Sequence, residues 1–109
     1  WPWSRSGASW CCASAAPRYT RAMNRSVREQ LAACYRMFAR RAMDDLVYTH
    51  LSARVPGTRD RFLFIPFGML FAEVTASNLL EVDADGADVA NTGAAVNPAG
   101  WVVHRTVYE

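Results

Sequence analysis

Apolar residues first recur at a regular spacing from Val27 onward. Successive apolar residues lie three or four positions apart, with two adjacent pairs, which places them on one face of an α-helix. They are Val27, Leu31, Cys34, Tyr35, Phe38, Ala42 and Met43. Ser26 and Glu29 have the spacing of a capping box, in which each side chain accepts a hydrogen bond from a free backbone amide. The pattern predicts an amphipathic helix over residues 26–43. We expect Cys34 to be a buried free thiol and the arginines of this segment, Arg28 included, to form its solvated face.

β-branched and aromatic residues dominate the part of the chain that follows. Residues 47–55 (VYTHLSARV) and 61–65 (RFLFI) predict the two strands of a hairpin, joined by the turn sequence PGTRD. Pro66 ends the second strand because it has no amide to donate to a strand ladder. The elements predicted after it are at most one helical turn over residues 73–77, a strand over 79–83 and a tight turn at Asp85 and Gly86.

A helix start is signalled near the end of the chain. Asn97 and Pro98 are the residue types preferred at the N-cap and at the first helical position. The residues after them, WVVHRTVY from Trp101 to Tyr108, are rich in β-branched side chains and would suit a strand. We favour the helix, because the cap and the proline together give a directional signal.

Composition narrows the class of protein. The chain has 109 residues, of which 51% are apolar and 20% charged, so it is long enough for one small globular domain but not for two. Its net charge of +2 does not indicate a nucleic-acid partner. The longest apolar run, residues 62–72, contains Pro66 and Gly68 and is shorter than the roughly 20 residues that span a bilayer, so no membrane span is expected.

Arginine supplies all 12 basic residues of the chain. A GC-rich coding sequence explains this usage, and a surface that specifically needs guanidinium groups is the alternative. The three cysteines, the adjacent Cys11 and Cys12 together with Cys34, have no zinc-binding spacing. Their number and placement fit a reducing compartment, so a cytoplasmic location is expected.

Residues 1–22 differ from the rest of the chain. They are rich in Trp, Ser, Ala and Arg, contain no acidic residue and show no regular apolar spacing. A leader for organelle import has this composition, and so has upstream sequence that does not fold, such as an extension before Met23. We favour the second interpretation and place the folded domain at residues 23–109, with residues 1–22 disordered.

Several common catalytic motifs are missing from the sequence. The glycines form no phosphate-binding loop, and Ser52 has neither a nucleophile elbow nor an evident His or Asp partner. Asp44 and Asp45 are interpreted as solvated residues at the end of a helix. The two histidines, His50 and His104, are 54 positions apart and match no metal-ligand spacing, so His104 is expected to be a packed or surface histidine.

Four short motifs together resemble one protein family. They are HLSAR (His50 to Arg54), PFG (Pro66 to Gly68), TASNL (Thr75 to Leu79) and NPAG (Asn97 to Gly100). Their order and spacing resemble the class II aldolase/adducin N-terminal domain family, in its adducin-like branch, from about Val27 to Glu109. The resemblance implies an α/β fold: part of a three-layer α/β/α domain with a mainly antiparallel sheet, incomplete at its C-terminal side.

The resemblance also implies a metal and a substrate site. Enzymes of this family hold a divalent metal, usually zinc, with a His-x-His pair and a third histidine, and use it as a Lewis acid. Those ligands are expected beyond Glu109, so no metal or other cofactor is expected in this chain. A substrate phosphate is held by loops whose counterparts here give the expected substrate-binding residues: Thr49, His50, Ser52, Pro66, Phe67, Gly68, Asn97 and Pro98.

This chain departs from the aldolases of the family at several of these positions. It has Thr49-His50 where they have Gly-Asn, and Ile65 to Gly68 (IPFG) where they have Thr-Pro-(Ser/Thr)-Gly. Gly100 stands where they carry the glutamate that exchanges protons with the substrate. The departures put phosphate binding and aldol chemistry in question, so we assign no catalytic residue in this chain.

Two functions remain open at this stage. In the first, the complete protein is a metal-dependent lyase-type enzyme, a homo-oligomer acting on a small hydroxylated or carbonyl substrate, and this chain is inactive by itself. In the second, it is a non-catalytic module like the adducin head, with actin or other cytoskeletal partners. A His-x-His pair in the sequence after Glu109 would favour the enzyme.

Overall fold

The structure, a computed structural model, describes the backbone of residues 18–109 and the side chains of residues 21–109. The predictions for residues 1–17, including the leader and the cysteines Cys11 and Cys12, lie outside the described residues. The elements in chain order are helix α1 (Arg18–Arg40), strands β1 (Ala53–Arg54) and β2 (Phe62–Phe64), a 3-10 turn (Phe71–Glu73), strand β3 (Leu80–Val82) and helix α2 (Pro98–Tyr108). The expected α/β class with an antiparallel sheet is confirmed.

One three-stranded antiparallel sheet, in the order β1-β2-β3, forms the centre of the fold. Its register pairs Phe62 with Val82 and Leu63 with Glu81. Because side chains alternate between the two faces of a sheet, Phe62 and Phe64 share one face with Val82, and Leu63 shares the other with Glu81. Trp101 of α2 packs against Phe62 and Phe64, and Arg28 of α1 reaches Glu81. The two helices therefore lie on opposite faces of the sheet.

Helix α1 differs from its prediction at both ends. It begins at Arg18, so residues 18–22, which we placed outside the folded domain, are helical. The capping box predicted at Ser26 is wrong, because Ser26 lies inside the helix, where its hydroxyl accepts a hydrogen bond from the Gln30 side chain at 3.1 Å. Glu29 instead pairs with Arg25 at 3.0 Å.

The C-terminal end of α1 has a specific backbone geometry. Ala42 has a φ of +50°, and the amide of Met43 donates to the carbonyl of Phe38 at 3.1 Å while that of Ala42 donates to Ala39 at 3.1 Å. These two bonds form a Schellman motif, which closes a helix when one residue adopts the left-handed conformation. The helix therefore ends at Arg40 rather than at residue 43, and both Ala42 and Met43 are exposed.

The apolar face of α1 is confirmed at its centre and wrong at one position. Leu31 and Tyr35 are buried as predicted, whereas Cys34 is exposed. Ala32 is buried in its place, because the face that docks includes positions 31, 32 and 35 and turns position 34 outward. The ring of Tyr35 contacts Phe71 of the 3-10 turn edge-on, with ring centroids 4.6 Å apart.

Tyr35 also explains why β1 is shorter than the strand predicted over residues 47–55. Its hydroxyl accepts a hydrogen bond from the amide of Leu51 at 2.9 Å and donates one to the carbonyl of the same residue. The backbone of Leu51 is thus satisfied by a side chain and not by a neighbouring strand. Only Ala53 and Arg54 pair with β2. Burial raises the pKa of the Tyr35 hydroxyl, so it stays protonated and keeps both bonds.

Helix α2 and the turn before it follow their predictions. The Asn97 side chain accepts hydrogen bonds from the amides of Ala99 at 3.0 Å and Gly100 at 3.5 Å, and Pro98 is the first helical residue. The Asp-Gly turn closes with the amide of Gly86 donating to the carbonyl of Asp83 at 3.0 Å. Gly86 has a φ of +81°, and a Cβ there would lie 2.6 Å from the Trp101 ring, so glycine is required both for the turn and for the packing of α2.

The short helical turn expected over residues 73–77 lies slightly earlier. The 3-10 turn covers Phe71–Glu73, and the residues after it are held by side chains, with the amide of Thr75 donating to the Asn78 side chain at 2.8 Å. Such side-chain bonds compete with a helix for the backbone groups. No helix among residues 18–109 is long and apolar enough to cross a membrane.

We expected Arg28 on the solvated face of α1, and this prediction is wrong. Its guanidinium donates to the carbonyls of Leu79 at 2.8 Å and Ala76 at 3.3 Å and lies 3.5 Å from the carboxylate of Glu81. These carbonyls belong to the segment that leads into β3, and the Arg28 side chain is only 23% exposed. Arg28 therefore fixes α1 to the sheet through a planar donor group that satisfies several acceptors at once.

Replacing Arg28 tests this role. We expect Arg28→Met, which keeps the apolar stem, to lower the free energy of unfolding of the complete protein by about 1–3 kcal/mol, since it removes charged hydrogen bonds to part-buried carbonyls. Arg36→Met on the exposed side of the same helix is the matched control and should have a much smaller effect. Urea unfolding followed by circular dichroism measures both, and equal effects of the two substitutions would contradict the assignment.

Candidate functional site

A group of polar side chains lies where the start of β1 meets helix α2. The hydroxyl of Ser52, directly before β1, lies 2.7 Å from Nδ1 of His104 and 2.9 Å from the hydroxyl of Tyr108. His104 and Tyr108 are four residues apart on α2, so they lie on the same face of the helix. One serine hydroxyl therefore connects two helix side chains to the strand. We call Ser52, His104, Tyr108 and His50 the histidine cluster.

His50 is the fourth member of the histidine cluster and packs against two elements, β2 and α2. Its ring stacks on Phe64 of β2 with centroids 5.4 Å apart and meets the ring of His104 edge-on at 6.2 Å. It also lies directly over Gly100 in the first turn of α2, because a Cβ built on Gly100 would fall 2.6 Å from two atoms of the imidazole. The absence of a side chain at position 100 makes the space that His50 occupies.

One ring nitrogen of His50 is left without a partner. Nε2 is buried and makes no hydrogen bond with the described residues. Buried polar atoms are nearly always paired in native proteins, so this nitrogen calls for a partner, such as a water molecule or another group, beyond the described residues. His104 differs, because its Nδ1 is bonded to Ser52.

Both histidines are shifted towards their neutral forms. Burial lowers the pKa of His50 below its usual value, and the positive charge of a protonated His104 nearby lowers it further. Burial also lowers the pKa of His104. At neutral pH the site therefore holds two uncharged imidazoles, each of which is able to accept a proton or a hydrogen bond.

Arg54 holds the far end of α2 beside this cluster. Its guanidinium donates to the backbone carbonyl of Tyr108 at 2.9 Å and lies over the rings of Phe62 and Tyr108, at 5.2 and 5.1 Å from their centroids. A cation at the C-terminus of a helix is favourable because the carbonyls there carry partial negative charge. Arg54 thereby holds Tyr108 in place next to Ser52.

The other residues predicted for the substrate site lie outside the histidine cluster. Thr49 is exposed, and its hydroxyl accepts a hydrogen bond from the amide of Asp45 at 3.2 Å. The turn from Pro66 to Gly68 is joined to the segment before α2 by the amide of Phe67, which donates to the carbonyl of Ala95 at 2.7 Å. Asn97 uses its side chain as the helix cap, and Pro98 is exposed. Their part in substrate binding stays a prediction.

The expectation that Ser52 has no histidine partner is wrong. His104 fills that role, and the sequence contained only a weak signal for it: the four-residue spacing of His104 and Tyr108 on a predicted helix. The contact depends on how α2 docks on the sheet, over a separation of 52 residues along the chain. Local patterns do not contain that information.

The described residues do not fit a metal ion. No group of three or more His, Cys, Asp or Glu side chains among residues 18–109 is placed to hold one. The side chains around the imidazoles of His50 and His104 are Phe64, Ser52 and Tyr108. Phe64 has no ligand atom, and the hydroxyl oxygens of Ser52 and Tyr108 are weak metal ligands when protonated. A metal in the complete protein would need ligands from outside the described part of the chain.

The requirement for glycine at position 100 can be tested directly. Alanine in a helix is ordinarily more stable than glycine by about 0.5–1 kcal/mol. Gly100→Ala should instead lower the free energy of unfolding by roughly 1–3 kcal/mol, because the new methyl group collides with the imidazole. In a His50→Ala background the same substitution should recover its usual stabilising sign. Equal effects in both backgrounds, measured by urea unfolding, would show that His50 does not occupy this space.

The lowered histidine pKa values predict a pH dependence of stability. Between its unfolded and folded pKa values, a histidine binds more protons in the unfolded chain than in the folded protein. The free energy of unfolding should therefore fall as the pH drops below about 6.5, and it should fall less steeply in His50→Gln. Urea unfolding of both proteins between about pH 7.5 and pH 5.5 checks the difference in slope, and identical slopes would contradict it.

Comparison with known proteins gives the family of the chain. The sequence model of the Class II Aldolase and Adducin N-terminal domain matches residues 29–109. A Pseudomonas aeruginosa protein named as an aldolase class 2 protein is 51% identical to this chain over 82 residues. The alignment covers 75% of this chain and 31% of that protein. Mouse alpha-adducin is 40% identical over 84 residues, covering 75% of this chain and 11% of that protein.

A solved structure shows the same likeness. L-fuculose 1-phosphate aldolase from Glaciozyma antarctica superposes with a TM-score of 0.77 and 32% identity, over 82% of this chain and 37% of that chain. This chain thus spans about one third of the length of the aldolase-type relatives it matches. On the family match and on these similarities, the chain belongs to the class II aldolase and adducin N-terminal domain family.

Proposed function

We propose that the complete protein containing this chain is a metal-dependent lyase-type enzyme that acts on a small hydroxylated or carbonyl substrate. The observation that carries the proposal is the structural likeness to an L-fuculose 1-phosphate aldolase at 32% identity. The superposition covers 82% of this chain. The alignment covers only about a third of that enzyme, so the proposal concerns the whole protein.

The histidine cluster fits such a substrate in its chemistry. A neutral imidazole at His50 and a hydroxyl at Ser52 both exchange hydrogen bonds with hydroxyl or carbonyl groups. The exposed turn from Pro66 to Gly68 is joined by a backbone hydrogen bond to the segment before Asn97. We propose that these parts, with Thr49 and Pro98, form the substrate side of the active site in the complete protein.

The metal, for which zinc is the proposed identity, would be held elsewhere in the complete protein. Bound there, it would act as a Lewis acid on a substrate oxygen. No group of three or more His, Cys, Asp or Glu side chains among the described residues is placed to hold it, and the position of Gly100 offers no carboxylate. We therefore propose that residues 1–109 are inactive on their own. We also propose that the complete protein is a cytoplasmic homo-oligomer.

A second function is favoured by a different observation. The identity of 40% with mouse alpha-adducin lies between the 51% shared with the Pseudomonas aeruginosa protein and the 32% shared with the fuculose phosphate aldolase, so the chain resembles both kinds of relative. Gly100, at the position of the catalytic glutamate expected from the resemblance, also suits a domain that has lost its chemistry. The alternative is a non-catalytic module that binds actin or other cytoskeletal proteins.

Metal content and turnover separate the two functions. We expect the purified complete protein to contain about one divalent metal ion per chain by elemental analysis, as in a catalytic site with a single metal. It should cleave a short hydroxylated ketose, and a chelator should abolish that activity. The substrates to try are ketoses with and without a phosphate. A coupled enzymatic reduction of the carbonyl products measures the cleavage. Residues 1–109 expressed alone are the control and should release no product.

A metal-free complete protein that cleaves none of these ketoses would overturn the enzyme proposal. Co-sedimentation of that protein with actin filaments would then support the adducin-like alternative.

A further inference from the structure

A groove runs along helix α1 on the side that faces residues 74–77. One half has a volume of about 480 Å³ and the other about 610 Å³. The two halves share Glu29, Thr75 and Ala76 in their walls, so they are continuous. The groove lies apart from the histidine cluster, none of whose members lines it.

Arginine side chains line this groove at the spacing of one helix face. Arg21, Arg25 and Arg28 line one half, and Arg36 and Arg40 line the other. Glu29 is the only acidic residue in either wall, and it already pairs with Arg25. Arg21, Arg36 and Arg40 make no ion pair with the described residues, so the groove has a surplus of positive charge.

The floor of the groove is apolar. Ala32, Ala33, Met37 and Val74 form it, and Met37 is 51% exposed. A partner side chain placed over Met37 would remove its exposed surface from water, and the flexible methionine adapts its shape to such a contact. The groove thus combines an apolar floor with a cationic rim.

Two other kinds of partner fit less well. Bases of nucleic acids are bound by stacking on aromatic rings, and no aromatic residue lines either half of the groove. A membrane surface needs a flat or convex basic face, whereas these arginines border a concavity.

We propose that the groove between α1 and residues 74–77 is a docking site for an acidic, partly apolar segment of a partner protein. Its carboxylates pair with the arginines of the rim, and an apolar side chain covers Met37. Arg21 and Arg40 are 19 positions apart in the helix, or about 28 Å. An extended segment of about eight residues spans that length.

The choice of arginine over lysine also matters at this groove. Arginine binds a carboxylate through two parallel hydrogen bonds, which lysine cannot do. Replacing the rim arginines with lysine should therefore weaken binding even though the charge is unchanged.

Peptide binding to the complete protein tests the proposal. The probe is a fluorescein-labelled octapeptide, Glu-Asp-Glu-Leu-Glu-Ala-Asp-Glu, and its binding is followed by fluorescence anisotropy. The same peptide with Gln and Asn in place of Glu and Asp should bind far more weakly. The double variant Arg36→Gln with Arg40→Gln should raise the Kd about tenfold, the loss of two exposed ion pairs. Arg36→Lys with Arg40→Lys should give a smaller rise.

The matched control removes the same charge elsewhere. Arg59→Gln with Arg105→Gln changes two exposed arginines outside the groove and should leave the Kd within about twofold, since distant surface charges are screened by salt. Met37→Asp, which places a negative charge in the floor, should weaken binding at least as much as the double groove variant.

Three results would overturn the proposal. The first is no binding of the acidic peptide by the complete protein, which would show that other parts of it cover the groove. The second is an equal loss of affinity in the groove variant and the control. The third is tighter binding to phosphatidylserine vesicles or to a single-stranded RNA oligomer than to the peptide, with the same arginines responsible.

Discussion

The contact of helix α2 with the aromatic side chains of β2 determines the geometry of the candidate site. Phe62 and Phe64 face α2 and meet Trp101, whose ring in turn lies against Gly86. Such rings bury large apolar areas and pack in preferred orientations, which leaves a helix little freedom to shift. Because α2 is fixed in this way, His104 reaches Ser52 and the start of the helix lies under His50. Placement of the polar groups is thus a consequence of apolar packing.

Local signals in the sequence predicted those elements whose backbone is satisfied locally. The Asn97 cap and the turn at Gly86 appear where expected, and two strands pair on either side of PGTRD as predicted, although β1 is shorter than expected. The prediction was wrong where a distant side chain decides the backbone, as at Leu51, which Tyr35 holds out of the strand. The resemblance brought His50 and Ser52 into the candidate site. Their partners on α2 could not be found this way, because no local pattern records which helix face docks on the sheet.

Helix α1 shows how angular position alone gives one residue type two different roles. Arg28 and Arg36 are eight positions apart, a little over two helical turns, so they do not point in quite the same direction. The first meets the carbonyls of Leu79 and Ala76 and becomes part of the fold. The second extends into an open groove. The apolar spacing of the helix placed both arginines off its apolar face and so predicted both to be solvated, because that spacing does not show which segments pack beside the helix.

The contact between Gly100 and His50 makes the residue types at these two positions depend on each other. Its Cα lies so close to the His50 ring that position 100 and position 50 compete for a single volume. Relatives with a larger residue at the helix position are expected to carry a smaller or differently directed side chain on the strand side. The two positions should therefore vary together across the family. A protein with a carboxylate at position 100 should have a residue other than histidine, or a differently directed side chain, at position 50.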